Sequence, residues 1–170
     1  MNYAAIKLAD CANGIGCRTV LFVSGCTHHC KGCFQPETWN FEYGKPFSKE
    51  TEKFLLEETD KPYVDGLTVL GGEPMEPVNQ KGILSLLKKV KALGKTIWVY
   101  SGYTWEELND KDSRCYTDVT SEILSLIDVL VDGEFHKDKK DITLKFKGSS
   151  NQRVIDVQKS LNYGSVVIWN

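Results

Sequence analysis

Three things that would assign this chain to a compartment or partner class at once are missing. No apolar run approaches the roughly 18 residues a membrane-crossing helix needs. The first ten residues, MNYAAIKLAD, lack the basic-then-apolar pattern of a secretory signal. Neither charge sign dominates: 21 Lys and Arg stand against 23 Asp and Glu, a net charge of −2. That balance provides no field to gather nucleic acid or an anionic membrane. The four tryptophans are accompanied by no basic stripe, so they read as packing residues rather than a base-stacking set. There is no internal repeat, no low-complexity tract and no GxGxxG following a strand. What remains is a globular chain, 41% hydrophobic and 26% charged, in which 170 residues suffice for one ordinary domain. A chain of that size buries about 70% of its unfolded surface and needs no staples. The expectation is a cytoplasmic protein acting without nucleic acid or membrane.

Cysteine is the residue present in excess. Six occur, at 11, 17, 26, 30, 33 and 115, three of them within eight residues. In a reducing compartment such clustering points to a metal or a catalytic thiol rather than a disulfide framework.

Short, continuously apolar, β-branched or aromatic runs recur along the chain: Thr19–Val23, Leu67–Leu70, Thr96–Tyr100 and Val129–Val131. Each ends at a Gly-bearing turn (SGC, GGE, SGY, DGE), and continuous apolarity suits strands covered on both faces of a parallel sheet. Helices are predicted between them. One is capped by Ser48 and runs to about Glu58; a second carries the stripe Ile83, Leu84, Leu86, Leu87 and Val90 and ends near Gly94. A third opens on the capping-box spacing Thr104–Glu107, and a fourth carries Val119, Ile123, Leu126 and Ile127. Further on, a strand at Thr143–Phe146, a helix at Arg153–Leu161 opened by a Ser150/Asn151 cap, and a final strand or ordered tail at Val166–Trp169 are expected. The alternation predicts an α/β fold, and ligands of such folds bind at the carboxyl ends of the strands, where the four turns should form one rim.

Cys26-Thr-His-His-Cys30-Lys-Gly-Cys33 places three thiols on the loop after the first of these runs. Such thiolates can face one point and hold a soft metal centre. A tetrahedral zinc site wants a fourth ligand, which would have to be His28, His29, Cys11, Cys17 or Cys115. An iron–sulfur cubane takes four thiolates, so three leave one iron open to a small molecule. A non-catalytic zinc module therefore stays in contention beside an iron–sulfur enzyme.

CxxxCxxC in this position, followed by Gly71-Gly72-Glu73-Pro74, resembles the radical S-adenosylmethionine family. The wider text sharpens the likeness. Asn13–Arg18 (NGIGCR), Ser24–Cys33, Gln35–Trp39 (QPETW), Ser101–Thr104 (SGYT), Val131–Phe135 (VDGEF) and Lys147–Arg153 (KGSSNQR) resemble the activases of glycyl-radical enzymes, in particular those acting on anaerobic ribonucleoside-triphosphate reductase. The resemblance spans roughly residues 3 to 153. It implies a 4Fe-4S cluster on Cys26, Cys30 and Cys33 whose open iron chelates S-adenosyl-L-methionine, and reductive cleavage to a 5′-deoxyadenosyl radical. It further implies transfer of a hydrogen atom from a glycine of the partner reductase. An activase of another glycyl-radical enzyme, such as pyruvate formate-lyase, is the alternative within the class. The resemblance also implies a low-potential electron donor such as flavodoxin, and allows a homodimer or a complex with a dimeric reductase.

The fold expected is a single radical S-adenosylmethionine domain over 1–170, with a cluster loop at 24–34 and a tail from about 162. It is a partial (β/α) barrel with a curved, mostly parallel sheet of about five strands, since a full barrel needs about 250 residues. For the cofactor, Gly71 and Gly72 permit close backbone approach and Glu73 adds charge. Gly32, Cys33 and Phe34 end the cluster loop; Gly32 stands where the family often carries an aromatic beside the adenine. Ser101 and Asp132, ending later strands, are candidates for the ribose or the ligand carboxylate. His28 and His29 read foremost as a solvated loop pair. Cys11 and Cys17 flank a loop, Asn-Gly-Ile-Gly, read as a flexible part of the rim, and with Cys115 they read as non-ligands.

Overall fold

The computed structural model describes residues 1–170. The four apolar runs form strands: β2 is Arg18–Val23, β4 Gly66–Gly71, β5 Thr96–Tyr100 and β6 Val129–Asp132. They pair in parallel in the order β2-β4-β5-β6. Three further strands complete the sheet: β1 (Asn2–Asp10), β3 (Lys45–Pro46) and β7 (Arg153–Asp156), giving the order β3-β1-β2-β4-β5-β6-β7. All three join in antiparallel pairings. The architecture is α/β with one open, mixed, seven-stranded sheet; the expected five strands and mostly parallel pairing understate it.

The helices are α1 (Lys49–Thr59), α2 (Pro77–Ala92), α3 (Trp105–Asn109), α4 (Thr120–Leu126) and α5 (Val157–Tyr163). Their ends follow the predicted chemistry. Ser48 accepts from Thr51 N–H at 3.2 Å, and Thr104 and Glu107 form a reciprocal capping box. No helix is long and apolar enough to cross a membrane.

Strand periodicity divides the sheet into two unlike faces. Leu21, Val23, Leu67, Val69, Ile97, Val99, Leu130 and Ile155 point to one face and join the helix residues Leu55, Ile83, Leu87, Ile123 and Val157 in one core cluster. The opposite face carries Phe22, Leu70, Trp98, Tyr100, Val129 and Val131. Loops rather than helices cover it: residues 11–17, the long β6–β7 connection and the C-terminal tail. There Trp98, Phe146 and Trp169 form an edge-to-face trio with centroids 5.1–6.2 Å apart.

Three local expectations fail for identifiable reasons. Residues 153–156 form β7 instead of opening a helix, because β6 would otherwise present an unpaired edge. The helix begins at Asp156, whose carboxylate accepts from Lys159 N–H at 3.0 Å, not at Ser150/Asn151. Thr143–Phe146 is a turn: Asp141 Oδ1 takes both the N–H and the hydroxyl of Thr143, and Phe146 has φ 60°. The tail Val166–Trp169 lies against β7 through Asp156 N–H to Val167 O and Trp169 N–H to Val154 O.

Arg18 closes the amino-terminal end of the parallel strands. Its side chain is buried and lies 5.6 Å from the Trp98 ring. Its nitrogens donate five times: Nε to Thr68 Oγ1, Nη1 to Ile15 O and Thr96 Oγ1, Nη2 to Leu67 O and Thr96 O, all within 2.7–3.1 Å. Burial lowers its pKa to about 10, and neutral acceptors satisfy the charge. The Asn-Gly-Ile-Gly loop is thus tied down through Ile15 at the amino-terminal end of the strands rather than flexing, while Asn13 at its start reaches the cavity described below. Asp10 Oδ1 caps Ala12 and Asn13, and Asp65 Oδ2 accepts from Cys17 N–H at 2.7 Å.

Replacing Arg18 by Met, which keeps the bulk and removes every donor, should destabilise the metal-free protein by on the order of 3 kcal/mol. Guanidinium unfolding monitored by circular dichroism measures this. A midpoint equal to wild type would show that the guanidinium network contributes nothing.

Candidate metal and cofactor centre

The turns after β2, β4, β5 and β6 converge at one end of the sheet, because the four strands run parallel and in register there. The loop after β2 carries the three clustered cysteines, and neighbouring segments pin its backbone. Gly25 N–H donates to Thr38 O at 2.8 Å and Cys26 N–H to Trp39 O at 3.2 Å. Both acceptors lie in a 3-10 turn, Pro36–Trp39, with proline at its first position. Gly25, at φ 94°, has no room for a Cβ, which would lie 2.1 Å from the Phe41 ring. Cys33 N–H donates to Cys30 O at 3.0 Å, closing a turn through Gly32 at φ 80°.

The GGEP turn is laced to this loop. Gly72 N–H donates to Val23 O and Glu73 N–H to Gly25 O, both at 2.8 Å. A Cβ on Gly72 would stand 2.6 Å from Gly25 O and 2.9 Å from Thr38 O, so only glycine lets the two turns approach. Asn79 Nδ2 donates to Ser24 O and Glu73 O at 3.0 Å, and Glu76 Oε1 accepts from Thr27 N–H and hydroxyl at 2.8 and 2.5 Å. Sequence reasoning missed Glu76 and Asn79. Their signal is polarity at three-residue spacing, 73, 76 and 79, at the start of an otherwise apolar helix.

Glu73 is buried, with its carboxylate fully engaged. Oε1 accepts from Met75 N–H and Ser101 Oγ at 2.8 Å, and Oε2 from Gly102 N–H at 2.6 Å. His28 stands beside it, its side chain only 4% exposed. Nδ1 is 2.7 Å from Glu134 Oε1, while Nε2 lies 3.3 Å from Glu73 Oε2 without forming a hydrogen bond. Burial opposes the imidazolium, but the charge of Glu73 nearby and the hydrogen-bonded carboxylate of Glu134 outweigh it and raise the His28 pKa. Tyr103 covers the ring edge-to-face at 4.3 Å. His28 is therefore a buried connector and not a solvated loop residue, whereas exposed His29 stacks on Trp39 at 4.6 Å.

Cys26, Cys30 and Cys33 line one cavity of about 610 Å³ over the helix-free face of the sheet, a volume in the range of cofactor sites. Phe22, Leu70 and Tyr100 contribute its floor, and Gly71, Gly72, Glu73, Ser101 and Phe34 line it as well. Ser101 gives its hydroxyl to Glu73 and accepts from Tyr103 N–H at 3.1 Å. Gly32 is not among the lining residues; its Cα faces the Lys137 side chain. Asp132 is turned away from the cavity altogether. Its carboxylate accepts from Trp105 N–H at 2.7 Å and pairs with Arg153 through Nε at 3.0 Å and Nη2 at 2.5 Å, lining a separate polar cleft. The partnership has a simple cause: Arg153 opens β7 in register with Asp132. The carboxylates of Asp132 and Glu106 raise the Arg153 pKa.

The donor set suits an iron–sulfur cluster. Burial pushes the Cys26 thiol up to about 12 and moves Cys30 in the same direction, so thiolates here need the field of a bound cation. No three His, Cys, Asp or Glu side chains converge as one metal ion requires, whereas the ligands of a cluster bind different irons. The fourth ligand that zinc would need is absent: His28 is engaged by Glu134, and His29 stacks on Trp39. Cys11 and Cys17 belong to the loop at the far end of the strands, and buried Cys115 contacts Ser113 Oγ at 3.1 Å.

Comparison with known proteins agrees with this donor chemistry. Residues 12–155 match the family model for a 4Fe-4S single cluster domain. The chain is 40% identical over 158 residues to the anaerobic ribonucleoside-triphosphate reductase-activating protein of Escherichia coli (strain K12), covering 91% of this chain and 97% of the relative. It is 40% identical over 156 residues to the protein of that name from Pasteurella multocida (strain Pm70), covering 89% and 95%. The same identity over 156 residues holds for that of Enterobacteria phage T4, covering 91% and 93%.

Gly72→Ala should force the GGEP turn and the cysteine loop apart, costing about 1–3 kcal/mol and lowering iron and sulfide per chain after anaerobic reconstitution. Gly94→Ala is the control for backbone strain alone: Gly94 has φ 73°, so alanine there destabilises the chain, but no atom lies within 4 Å of its Cβ position and no turn is pushed apart. Equal iron in the two variants would refute the close-approach argument.

Proposed function

The chain belongs to the family of anaerobic ribonucleoside-triphosphate reductase-activating proteins, and from that premise we propose that it is a radical S-adenosylmethionine enzyme that installs a glycyl radical on the anaerobic reductase. The observation that carries the reading is the meeting, in one cavity at the carboxyl end of parallel strands, of three cysteines and a glycine pair. A cluster held by Cys26, Cys30 and Cys33 would supply the electron that splits the sulfonium of S-adenosylmethionine into methionine and a 5′-deoxyadenosyl radical, and that radical would take a hydrogen atom from a glycine of the partner.

The residues of this chain do the positioning. Cys26, Cys30 and Cys33 would be the ligands, and their number would leave one iron of a cubane open to the small-molecule ligand. Gly71, Gly72 and the Cys33–Phe34 segment, which line the cavity, receive the ligand. Phe34 is largely exposed and supplies an aromatic face beside the adenine, the part its neighbour Gly32 cannot play. Glu73 and Ser101 are positioning residues: they fix the turns after β4 and β5 through each other and leave little for the ligand directly. Asp132 positions Arg153 rather than the ribose. The apolar floor of Phe22, Leu70 and Tyr100 excludes water from the reacting atoms.

The open side of the sheet is what a macromolecular substrate needs, and the reading includes a partial barrel closed there by the partner. A low-potential donor such as flavodoxin, in a cytoplasm that keeps the thiols reduced, completes the proposal.

Changing any one of Cys26, Cys30 or Cys33 to Ala should abolish reductive cleavage of S-adenosylmethionine by dithionite-reduced protein, along with the glycyl-radical signal of the mixed reductase. Cys17→Ala and Cys115→Ala should retain both. Product chromatography and electron paramagnetic resonance measure the two steps. Full activity in Cys30→Ala would sink the assignment.

A further inference from the structure

The connection between β6 and β7, residues 133–152, is a built flap over the helix-free face. Its ends are held by one side chain. Gln152 Oε1 accepts from Gly148 and Ser149 N–H at 2.8 and 3.1 Å, while its Nε2 donates to Gly133 O at 2.9 Å. Asn151 Nδ2 adds a bond to Glu134 O at 2.9 Å, and Ser150 N–H donates to Lys139 O. The inner side of the flap, Leu144, Phe146 and Lys147, lines the cysteine cavity.

The base of the flap is locked to the cysteine loop, so the two make one continuous lip. Phe34 packs on Phe135 at 5.0 Å, and Lys140 Nζ sits 5.1 Å above the Phe34 ring. A Cβ on Gly148 would lie 3.1 Å from Phe135 and 3.3 Å from Phe34, which shows how closely the segments meet.

The outer side of this lip has an unusual character for a chain of net charge −2. Residues 137–147 hold five lysines against two aspartates. Lys137, Lys139, Lys140 and Lys145 are exposed, and none of them pairs with a carboxylate, although most other ion pairs of the protein use lysine. Between them Ile142 stands 89% exposed, as does the Phe34 ring at 65%. Unpaired like charges around exposed apolar groups oppose one another until an opposite charge arrives.

We propose that the outer side of this lip, Lys137–Lys145, is the docking surface for an acidic polypeptide segment of the reductase, with Ile142 as its apolar anchor. The proposal rests on the function above. A backbone Cα–H can enter the cavity only across its rim, and this stretch of the rim is the basic one. Lys139, Ile142 and Lys145 touch neither the cavity nor the cysteines, so they can be altered without disturbing cluster or ligand.

The test uses anaerobically reconstituted full-length protein and purified reductase, with affinity measured by calorimetry from 50 to 500 mM salt. Lys139→Glu/Lys145→Glu should weaken binding at least ~10-fold at low salt and flatten or invert its salt dependence. Ile142→Asp should weaken binding as well. Iron content and partner-free cleavage of S-adenosylmethionine should remain at wild-type levels in both. Charge-reversed protein that binds with wild-type affinity and salt slope overturns the docking surface while partner-free cleavage upholds the enzyme. A wild-type protein that neither cleaves S-adenosylmethionine nor binds the reductase overturns the proposal together with the function beneath it.

Discussion

A buried carboxylate organises this protein. Glu73 sits where three strand-end turns meet, and its two oxygens accept three hydrogen bonds: Met75 N–H from its own turn, Ser101 hydroxyl and Gly102 N–H from the turn after β5, with His28 of the cysteine loop alongside. A carboxylate in a dry position is tolerable only when its lone pairs are all used, and removing one partner leaves charge uncompensated at a cost of several kcal/mol. That makes the arrangement all-or-none. The turn cannot shift without stranding the charge, and the cysteine loop cannot shift without losing the bonds that its Ser24, Gly25 and Thr27 make to Asn79, Thr38, Glu73 and Glu76. Three thiols, two of which (Cys26 and Cys30) burial discourages from ionising, are therefore held in place before any metal arrives.

The sheet can carry this burden because its faces have been given separate tasks. Alternate residues on β2, β4, β5 and β6 pack against five helices, and that side supplies most of the buried apolar area. The other side is relieved of helix packing, so its Phe22, Leu70 and Tyr100 can line a cavity. Arg18 seals one end of the strands with five neutral hydrogen bonds, and the cysteine loop stands at the other. A guanidinium suits the closed end because its donors are fixed in a plane and can tie Ile15, Leu67 and Thr96 together without a counter-ion.

What could be read from the sequence was whatever local chemistry determines. The four parallel strands announced themselves by continuous apolarity, and the helix starts at Ser48 and Thr104 by their caps. The position of the cysteines after β2 followed from the same reading. What escaped were features fixed by partners distant in sequence. β1, with its alanines and lysine, has little strand character of its own; it exists because β2 offers it a ladder. β7 was hidden by the helical pattern that begins three residues later. Asp132 looked like a rim ligand because it ends a strand, and only the antiparallel arrival of Arg153 turns it away. His28 looked solvated because polar neighbours surround it in sequence, while Glu73 and Glu134, 45 and 106 residues away, enclose it in space.

The motifs that carried the family resemblance divide in the same way. QPETW presents two carbonyls to the cysteine loop, SGYT supplies Ser101 to Glu73 and Tyr103 to His28, and GSSNQ staples the flap through Gln152. Each motif sends two residues to the cavity wall, Gln35 and Trp39, Ser101 and Gly102, Gly148 and Gln152, and the rest hold these in place. The reason is mechanical. On the reading proposed above, a cluster with only three protein ligands, exposed to a radical step, would have to be kept from rearranging by the loop rather than by a fourth ligand, so rigidity would come from hydrogen bonds to the backbone around it. The short cysteine signature points to iron–sulfur chemistry, and the longer pattern around it is the scaffold that a three-ligand cluster would require.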